Sequence, residues 1–385
     1  MTHRSSVRCF DTVVVGGSQA GLAVGHYLAD QRRDFVILDA GHRVGDTWRG
    51  RWDSLRLFTP ARYDGLPGMP FPAPGGYYPT KDEMADYLEA YACRFDVPVG
   101  TGVRVESLGK KEDRYLLVSN AGRFEAENVV VASGSLRRPK IPAFAANLDR
   151  SIAQLHSSTY RNPAQIPAGD VLVVGAGNSG AEISVELVAA GRRVWLSGRD
   201  VGRIPFFGSQ LSWWIFGNVL TSESRFGRKL KEGGGGGGTP LIRLRPKDVL
   251  RAGVVRVPKV EGTADGRPRL EDGRVLDVNA VVWATGFGPD FAWIRLPVFG
   301  EDGHPVHHRG VVEKEPGLYF VGLPFQHTLT SALIGGVGAD ARYVAEHLRS
   351  RDRSRAARRR SANPAALPGD APSWPKPSRD RSRGS

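Results

Sequence analysis

The chain has 385 residues, of which 41% are hydrophobic, with a formal net charge of +13 and only two cysteines, Cys9 and Cys93. This length is enough for two domains of ordinary size, and two distant cysteines exclude both a disulfide framework and a C-x-x-C redox pair. No apolar run reaches the roughly 18–20 residues that a membrane span needs, and the first ten residues lack the apolar core of a secretory signal, so we expect a cytoplasmic protein.

The first predicted elements form a strand–helix–strand unit. Valines lead up to Gly16 in a strand predicted over 11–16, a helix follows over about 19–32, and a second strand covers 34–40. A buried apolar strand, a glycine turn and a helix within about 30 residues are typical of a parallel βαβ unit.

The turn after the first strand nearly fits the dinucleotide fingerprint G-x-G-x-x-G, but Ser18 occupies the place of the second glycine. The Ser18 hydroxyl can donate a hydrogen bond to a phosphate oxygen, and the free N–H groups of the following helix favour an anion. Asp39 ends the second strand, where an acid accepts hydrogen bonds from an adenosine ribose. This unit is therefore predicted to bind a dinucleotide through Gly16, Gly17, Ser18, Gln19, Ala20, Gly21 and Asp39.

The next predicted element is an amphipathic helix over 79–95. Thr80 and Glu83 have the spacing of a capping box. One face carries four large apolar side chains that are expected to pack in the core: Met84, Tyr87, Leu88 and Tyr91. Three strands and a proline-rich connector are predicted next, near 102–107, 114–119, 127–134 and 137–144.

A second strand–turn–helix–strand unit occupies 170–199, with Gly191 placed to stop its helix. The turn GAGNSG fits the fingerprint in full. Gly175 would make the tight turn, Gly177 would let the backbone approach a pyrophosphate, and Gly180 would let the helix pack closely on the strand.

The second strand of this unit ends without an acid. It closes on Ser197 and Arg199. An arginine and a hydroxyl would hold the 2′-phosphate of NADPH, which an acid would repel. NADPH is therefore expected rather than NADH, and a solvated surface arginine is the alternative.

Two later segments have an unusual composition. Residues 211–220 form the most apolar local stretch; it is expected to pack as core or lid, with contact to a membrane surface as the lesser alternative. Residues 233–238 are six consecutive glycines and are expected to form a flexible loop. Further strands are predicted near 254–260, 275–284 and 318–324, before a final helix that ends near Arg349.

The basic charge is concentrated at the C-terminus. Residues 351–385 hold nine Arg and one Lys against three Asp, so +7 of the total +13 lies there. This Arg/Ser/Pro-rich tail has few aliphatic residues to bury and is predicted to be disordered. Neither interleaved aromatic residues nor a nucleic-acid-binding motif accompanies the charge, so specific nucleic-acid binding is not expected. The histidine-rich segment 304–308 lacks a nearby acid or cysteine to complete a metal site and is expected to be an exposed turn.

Several motifs together resemble the flavin-containing monooxygenase family, the class B flavoprotein monooxygenases, over about residues 10–349. GDTWRGRWDSLRLFTP (45–60) is similar to the family segment that contacts the flavin, and YYPTKDEMADYLEAYA (77–92) resembles the family's next helix. GNSGAE (177–182) is similar to its NADPH loop, and WATGFGPD (283–290) resembles its interdomain linker.

One family signature, F-x-G-x-x-x-H-x-x-x-[YFW], is kept only in part. His156 and Tyr160 match its end, whereas Arg150 and Ile152 replace its Phe and Gly. His156 is interpreted as a residue that packs the domains together rather than as a general base.

The resemblance implies an α/β fold with two Rossmann-like dinucleotide-binding domains, each built as a three-layer sandwich. An FAD-binding domain over 7–145 and 285–350 would be split by an NADPH-binding domain over 155–280, and the disordered basic tail 351–385 would follow. Backbone N–H groups within 330–336 would contact the flavin ring. The remaining cofactor contacts that the resemblance implies are Thr47, Trp48, Val105, Ala132, Ser133, Gly134, Asn178, Ser179, Thr285, Gly286 and Leu333.

The implied reaction passes a hydride from NADPH to FAD, activates molecular oxygen as a peroxyflavin and transfers one oxygen atom to a small amine, thioether or ketone. Because the cofactors carry this chemistry, neither a catalytic side chain nor a metal is predicted. Two alternatives stay open: an NADPH oxidase that releases hydrogen peroxide, and a nucleotide-bound sensor without turnover. A disulfide reductase would need a cysteine pair beside the flavin, which Cys9 and Cys93 do not provide. The sequence does not indicate the oligomeric state.

Overall fold

The structure, a computed structural model, describes residues 7–134, 136–203, 209–233 and 240–362. These ranges contain sixteen β-strands, eight α-helices and three short 3₁₀ helices. The strands are β1 (Arg8–Val15), β2 (Phe35–Leu38), β3 (Val99–Gly100), β4 (Val105–Lys111), β5 (Arg114–Ser119), β6 (Gly122–Val131), β7 (Leu136–Pro139), β8 (Ala153–His156), β9 (Val171–Val174), β10 (Val194–Ser197), β11 (Val255–Val257), β12 (Val260–Ala264), β13 (Arg267–Leu270), β14 (Ala280–Trp283), β15 (Phe287–Pro289) and β16 (Leu318–Phe320). The α-helices are α1 (Gln19–Asp30), α2 (Asp46–Arg49), α3 (Lys81–Arg94), α4 (Asn178–Ala189), α5 (Gln210–Asn218), α6 (Arg225–Gly233), α7 (Pro246–Arg251) and α8 (Val337–Ala362), and the 3₁₀ helices cover Ala61–Tyr63, Ala143–Asn147 and Pro163–Gln165.

The larger sheet has seven strands, and its parallel part follows the order β3-β2-β1-β6-β16. One edge of β6 is divided between two partners: its second half pairs with β16, and its first half pairs antiparallel with β5, which in turn pairs with β4. The chain leaves β1 for β2 on one side and returns to β6 on the other. The carboxyl ends of β1 and β6 therefore meet at a topological switch point, where open α/β sheets bind their ligands.

The second sheet repeats this arrangement. All five strands are parallel, in the order β11-β10-β9-β14-β8. Strand β9 lies between β10 and β14 just as β1 lies between β2 and β6. A separate apolar cluster fills this part of the molecule and includes Leu172, Val281 and Trp283, all nearly or fully buried. Two Rossmann-like sheets, as predicted, are thus present in one chain.

Two connectors run between the sheets and pair with each other. Strand β7 leaves the first sheet, β15 returns to it, and the two form an antiparallel ribbon. Strands β12 and β13 form a separate antiparallel hairpin. The two segments that cross between the sheets, which contain β7 and β15, therefore lie side by side.

Local predictions are confirmed where the pattern was strongest. Helix α3 begins with the predicted capping box, in which the Thr80 hydroxyl accepts from the Glu83 N–H and the Glu83 carboxylate accepts from the Thr80 N–H. All four apolar residues of its predicted face, Met84, Tyr87, Leu88 and Tyr91, are buried. The apolar stretch 211–220 coincides largely with α5. Across the described ranges, no helix is both long and apolar enough to cross a lipid bilayer.

The prediction of disorder from residue 351 is wrong for 351–362, because α8 continues to Ala362. Arginine and alanine have high helix propensity, so this sequence extends a helix even where few side chains are apolar. Residues 363–385 and five glycines of the predicted loop, 234–238, lie outside the described residues. The molecule has two compact units: Met1–Ala345 holds every sheet, and the described part of Glu346–Ser385 is the remainder of α8.

Candidate active site

The two glycine turns, at the ends of β1 and β9, have the same backbone construction. Gly16 and Gly175 have φ angles of 108° and 110°, a region that favours glycine. A Cβ on Gly16 would lie 2.6 Å from the carbonyl oxygen of Ala132, and one on Gly175 would lie 2.2 Å from that of Ala284. Each turn therefore presses against the strand end beside it, so neither glycine tolerates a side chain.

The third glycine of each turn also packs without space for a side chain. A Cβ on Gly21 would lie 1.8 Å from the carbonyl oxygen of Gly16, and one on Gly180 would lie 1.8 Å from that of Gly175. Helices α1 and α4 thus start directly against their strands. Neither helix has a side-chain cap on its first N–H groups, which leaves these groups and the helix dipole available to a phosphate.

A cavity of about 500 Å³ opens at the carboxyl ends of β1, β2 and β6. The predicted residues that line it are Gly16, Ser18, Gln19, Ala20, Asp39, Thr47, Val105, Ala132, Ser133 and Gly134. The loop before α8 contributes Ala332, and α8 itself contributes Val337. This volume is within the range of sites that hold a cofactor.

Asp39 fixes the floor of this first cavity. Its Oδ2 accepts a hydrogen bond from the Gly17 N–H at 2.5 Å, and its Oδ1 accepts one from the Gly41 N–H at 2.7 Å. A carboxylate oxygen has two lone pairs, so each of these oxygens keeps acceptor capacity for a ligand hydroxyl. Asp39 therefore holds the glycine turn in place and also presents acceptor oxygens to the cavity.

A second cavity of about 310 Å³ adjoins the first and shares Gln19, Arg51 and Ala332 with it. Its apolar wall is made by Trp48, Trp52, Leu55, Leu57, Phe58, Leu333 and Ile334. The start of α4 supplies Asn178, Ser179 and Glu182 on another side. The second fingerprint thus reaches the cavity that borders the first one.

The side chains of two predicted cofactor-binding residues, Asn178 and Ser197, form hydrogen bonds within the chain. The Asn178 amide donates to the carbonyl of Pro240 and accepts from the N–H of Ile242, both at 3.0 Å, so it holds a returning segment in place. Ser197 is fully buried; its hydroxyl donates to the Pro258 carbonyl at 2.9 Å and accepts from the Val260 N–H at 3.0 Å. A phosphate-holding role does not fit Ser197, because its hydroxyl has no exposed surface.

The edge of β10 still carries cationic groups. Arg199 is exposed two residues after the strand ends. Arg256 on β11 donates to the carbonyl of Gly198 at 2.6 Å; burial lowers the pKa of Arg256, and the charge of Asp200 opposes that shift. The sequence search missed Arg256 because β11 pairs with β10 only in three dimensions.

Thr285 and Gly286 lie in the paired connectors and border neither cavity. The Thr285 hydroxyl donates to the carbonyl of Lys140, and the Gly286 carbonyl accepts from the Lys140 N–H at 3.0 Å. The same carbonyl oxygen lies 3.1 Å from Nε2 of His156. Burial lowers the pKa of His156, so a neutral ring donates through Nε2 and accepts the Ser158 N–H at Nδ1. These contacts support the interpretation of His156 as a residue that joins the domains.

Two buried acids near the second cavity escaped the sequence search. Burial raises the pKa of Glu182 to about 7, although Arg243 lies 3.7 Å from its carboxylate and opposes the shift. Burial also raises the pKa of Asp64 to about 7, and this carboxyl accepts from the Thr59 hydroxyl of the cavity wall at 2.5 Å. Glu182 follows Asn178 by four residues, so the same face of α4 could have revealed it.

Comparison with known proteins agrees with this geometry. Residues 13–222 match the family described as pyridine nucleotide-disulphide oxidoreductase. The "Uncharacterized oxidoreductase CzcO-like" of Geobacillus kaustophilus is 42% identical over 345 residues, which is 87% of this chain and 97% of that protein. The "Probable indole-3-pyruvate monooxygenase YUCCA3" of Arabidopsis thaliana is 28% identical over 88% of this chain and 86% of its own. A solved flavin-containing monooxygenase from Stenotrophomonas maltophilia has a TM-score of 0.73 and 27% identity, covering 89% of this chain and 99% of that one.

Proposed function

The chain belongs to the flavin-containing monooxygenase group of the pyridine nucleotide-disulphide oxidoreductase family, and from this premise we propose that it uses NADPH and molecular oxygen to transfer one oxygen atom to a small organic substrate. One observation carries the proposal: two glycine turns of the same construction open into two cavities that share Gln19, Arg51 and Ala332. Such an arrangement suits a flavin and a nicotinamide that must meet.

FAD fits the first cavity, because the uncapped start of α1 and the Asp39 carboxylate both line it. The N–H groups at the start of α1 would hold the pyrophosphate, Asp39 would accept from the ribose, and the backbone of 332–337 would border the ring. The Ser18 hydroxyl donates to Oε1 of Gln19 at 2.5 Å, and it would exchange this bond for one to a phosphate oxygen. When bound, FAD supplies the redox and oxygen chemistry. The protein contributes position and a cavity with restricted access to water.

NADPH fits the second turn, where Gly177 is the N-cap of α4 and no side chain caps the first N–H groups of the helix. Arg199 would pair with the 2′-phosphate, and Arg256 adds a second positive charge at the same sheet edge. Ser179, which lies in the second cavity, would be beside the nicotinamide end.

The substrate would occupy the remainder of the second cavity. Its volume of about 310 Å³ must also admit the nicotinamide end, so only a small substrate fits. Aromatic walls at Trp48, Trp52 and Phe58 would exclude water and suit an apolar amine, thioether or ketone. Arg51, at the junction of the cavities, would pair with a carboxylate, which places 2-oxo acids in the same panel; the Arabidopsis relative is named for one. At neutral pH the Glu182 carboxyl holds a proton part of the time.

We also propose the division of labour between the sheets. FAD binding is assigned to 7–145 and 285–350, NADPH binding to 155–280, and the cytoplasm is the expected compartment. Support comes from the strand pairing, because β1–β6 and β16 share one sheet while the second sheet runs from Ala153 to Trp283. The second sheet therefore extends a few residues beyond both proposed limits.

The test is the stoichiometry of NADPH, oxygen and peroxide with a panel of a tertiary amine, a thioether, a cyclic ketone and an aromatic 2-oxo acid. A monooxygenase consumes one NADPH and one oxygen per product and releases little peroxide when its substrate is present. One peroxide per NADPH with every compound would identify an oxidase instead, and no NADPH consumption would identify a sensor. Either result would overturn the proposed oxygen transfer.

A further inference from the structure

Helix α5 is attached to the rest of the molecule by one face. The Trp213 indole stacks on the Tyr63 ring with centroids 4.4 Å apart and planes 10° from parallel. Just after the helix, the Ser222 N–H donates to the His327 carbonyl at 2.6 Å. These contacts attach α5 near its start and attach the chain again just after its end.

The outer face exposes large apolar side chains. Leu211 and Trp214, three residues apart and hence on the same side of α5, are 68% and 57% exposed, and Val219 at the helix end is exposed as well. Tryptophan and leucine exposed together are uncommon on the surface of a monomer unless the surface binds something.

Helix α6, which is separated from α5 by six residues, exposes a further apolar side chain and adds positive charge. Phe226 is 69% exposed, and Arg225, Arg228 and Lys229 around it are exposed too. Gly227 is the inward position, because a Cβ there would lie 1.9 Å from the Thr221 carbonyl oxygen. Within 209–229 the single acid is Glu223, whose carboxylate lies 3.8 Å from Nε2 of His308.

Charge and residue type together select the partner. Tryptophan and phenylalanine beside arginine and lysine are the composition of segments that lie in the interface of an anionic bilayer. A protein partner would suit the aromatic residues, but lysine is depleted at such interfaces. Exposed apolar side chains on α5 and α6, together with the cations of α6, match acyl chains beneath anionic lipid headgroups.

We propose that the segment 211–229 is a peripheral docking site for an anionic lipid surface. Leu211, Trp214 and Phe226 enter the headgroup boundary, and Arg225, Arg228 and Lys229 pair with lipid phosphates and carboxylates. This inference is independent of the proposed oxygenation. It places the loop 330–336 near the membrane, since a Cβ on Gly335 would lie 3.5 Å from the Trp213 ring.

The test is co-sedimentation of the full chain with vesicles of phosphatidylcholine alone and of phosphatidylcholine with phosphatidylserine in about a two-to-one ratio. The double variant Trp214→Ser/Phe226→Ser removes apolar anchors, and the triple variant Arg225→Gln/Arg228→Gln/Lys229→Gln removes the cations. Leu250→Ser is the matched control, because Leu250 is exposed to a similar extent on α7, outside the segment 211–229. Thermal unfolding by circular dichroism confirms that each variant is folded.

Binding of the parent chain should require phosphatidylserine. Each cation removed should weaken it about fivefold, the double variant should weaken it at least tenfold, and Leu250→Ser should bind as the parent does. The basic tail also attracts anionic lipids, but its purely electrostatic contribution vanishes in high salt. If binding is lost in high salt and the double variant binds as the parent does in low salt, the tail accounts for it and the proposal is wrong. Concentration-dependent dimers without vesicle binding would equally overturn it, because the surface would then face a second copy.

Discussion

The N–H of Gly17, in the glycine turn, donates to Oδ2 of Asp39 at the end of β2 over 2.5 Å. A Cβ on Gly17 would lie 3.0 Å from the Asp39 Cβ, so the turn and the acid are in direct contact. The same carboxylate accepts from the Gly41 N–H through Oδ1. Asp39 thus shapes the first cavity before any ligand enters.

Asp39→Ala should therefore lower both flavin binding and stability. Two N–H groups lose a charged acceptor, which costs roughly 1–3 kcal/mol of unfolding free energy, and FAD affinity should fall at least tenfold as the ribose also loses its partner. Asp39→Asn should fall between, because its single carbonyl oxygen can replace only one carboxylate oxygen. Equilibrium dialysis of FAD and urea denaturation measure both effects. Asp34→Ala, at the opposite end of the same strand, should leave FAD affinity unchanged; equal losses in both variants would contradict this role.

Gly175→Ala should weaken the binding of NADPH and leave the binding of FAD unchanged. The new Cβ would collide with the Ala284 carbonyl at 2.2 Å, and the residue would be forced to a φ of 110°. The expected loss is about 2–4 kcal/mol of unfolding free energy, with a large rise in KM for NADPH. Gly191→Ala is the matched control, since Gly191 also has a positive φ but no neighbour within 4 Å. It should cost only about 1 kcal/mol. The account fails if the two variants have the same KM.

Arg199→Ala and Ser197→Ala should distinguish the role of Ser197, the last residue of β10, from that of Arg199, which lies two residues further on. Loss of an arginine–phosphate pair should lower kcat/KM for NADPH about tenfold or more and leave that for NADH nearly unchanged. Ser197→Ala should leave the ratio of the two cofactors as it is, because the Ser197 hydroxyl is buried and bonded to Pro258 and Val260. Steady-state kinetics with both cofactors decide; a selectivity change in Ser197→Ala alone would reverse the assignment.

Glu182→Gln should remove a pH dependence of stability. Burial raises the pKa of Glu182 from 4.5 to about 7, so the folded protein holds this proton more tightly than the unfolded chain does. As pH rises from about 4.5 to about 7, the unfolded chain releases the proton first, and Glu182 lowers the unfolding free energy by up to about 3 kcal/mol. The unfolding free energy of the parent relative to Glu182→Gln should therefore fall across this window and level off above it. Urea denaturation at several pH values measures the difference, and a constant difference would show that Glu182 titrates normally.

The elements that the sequence predicts best are those fixed by local patterns. Strand β1, helix α1 and the capping box of α3 depend on residues within a few turns of one another, and the paired fingerprints depend on glycine spacing. The prediction of disorder was wrong for residues 351–362, because high helix propensity extends α8 beyond the end of the apolar pattern.

What the sequence could not supply are the contacts between distant residues. The sequence predicts that Ser197 holds a phosphate, because the strand pattern does not reveal that its hydroxyl is bonded to Pro258 and Val260. The sequence predicts a cofactor contact at Asn178, but it does not reveal that the Asn178 amide bonds to Pro240 and Ile242, more than sixty positions later. The resemblance implies cofactor contacts at Thr285 and Gly286. In the structure both residues form hydrogen bonds with Lys140. Arg256 lies beside Gly198 only because β11 pairs with β10.

The flavin content of the purified full chain tests the central claim most directly. With FAD in the cavity between Gly16 and Asp39, the protein should be yellow, release one FAD per chain on denaturation, and lose its visible absorption when NADPH is added without oxygen. A colourless protein that takes up no FAD on reconstitution, although it is folded by circular dichroism, would contradict the account.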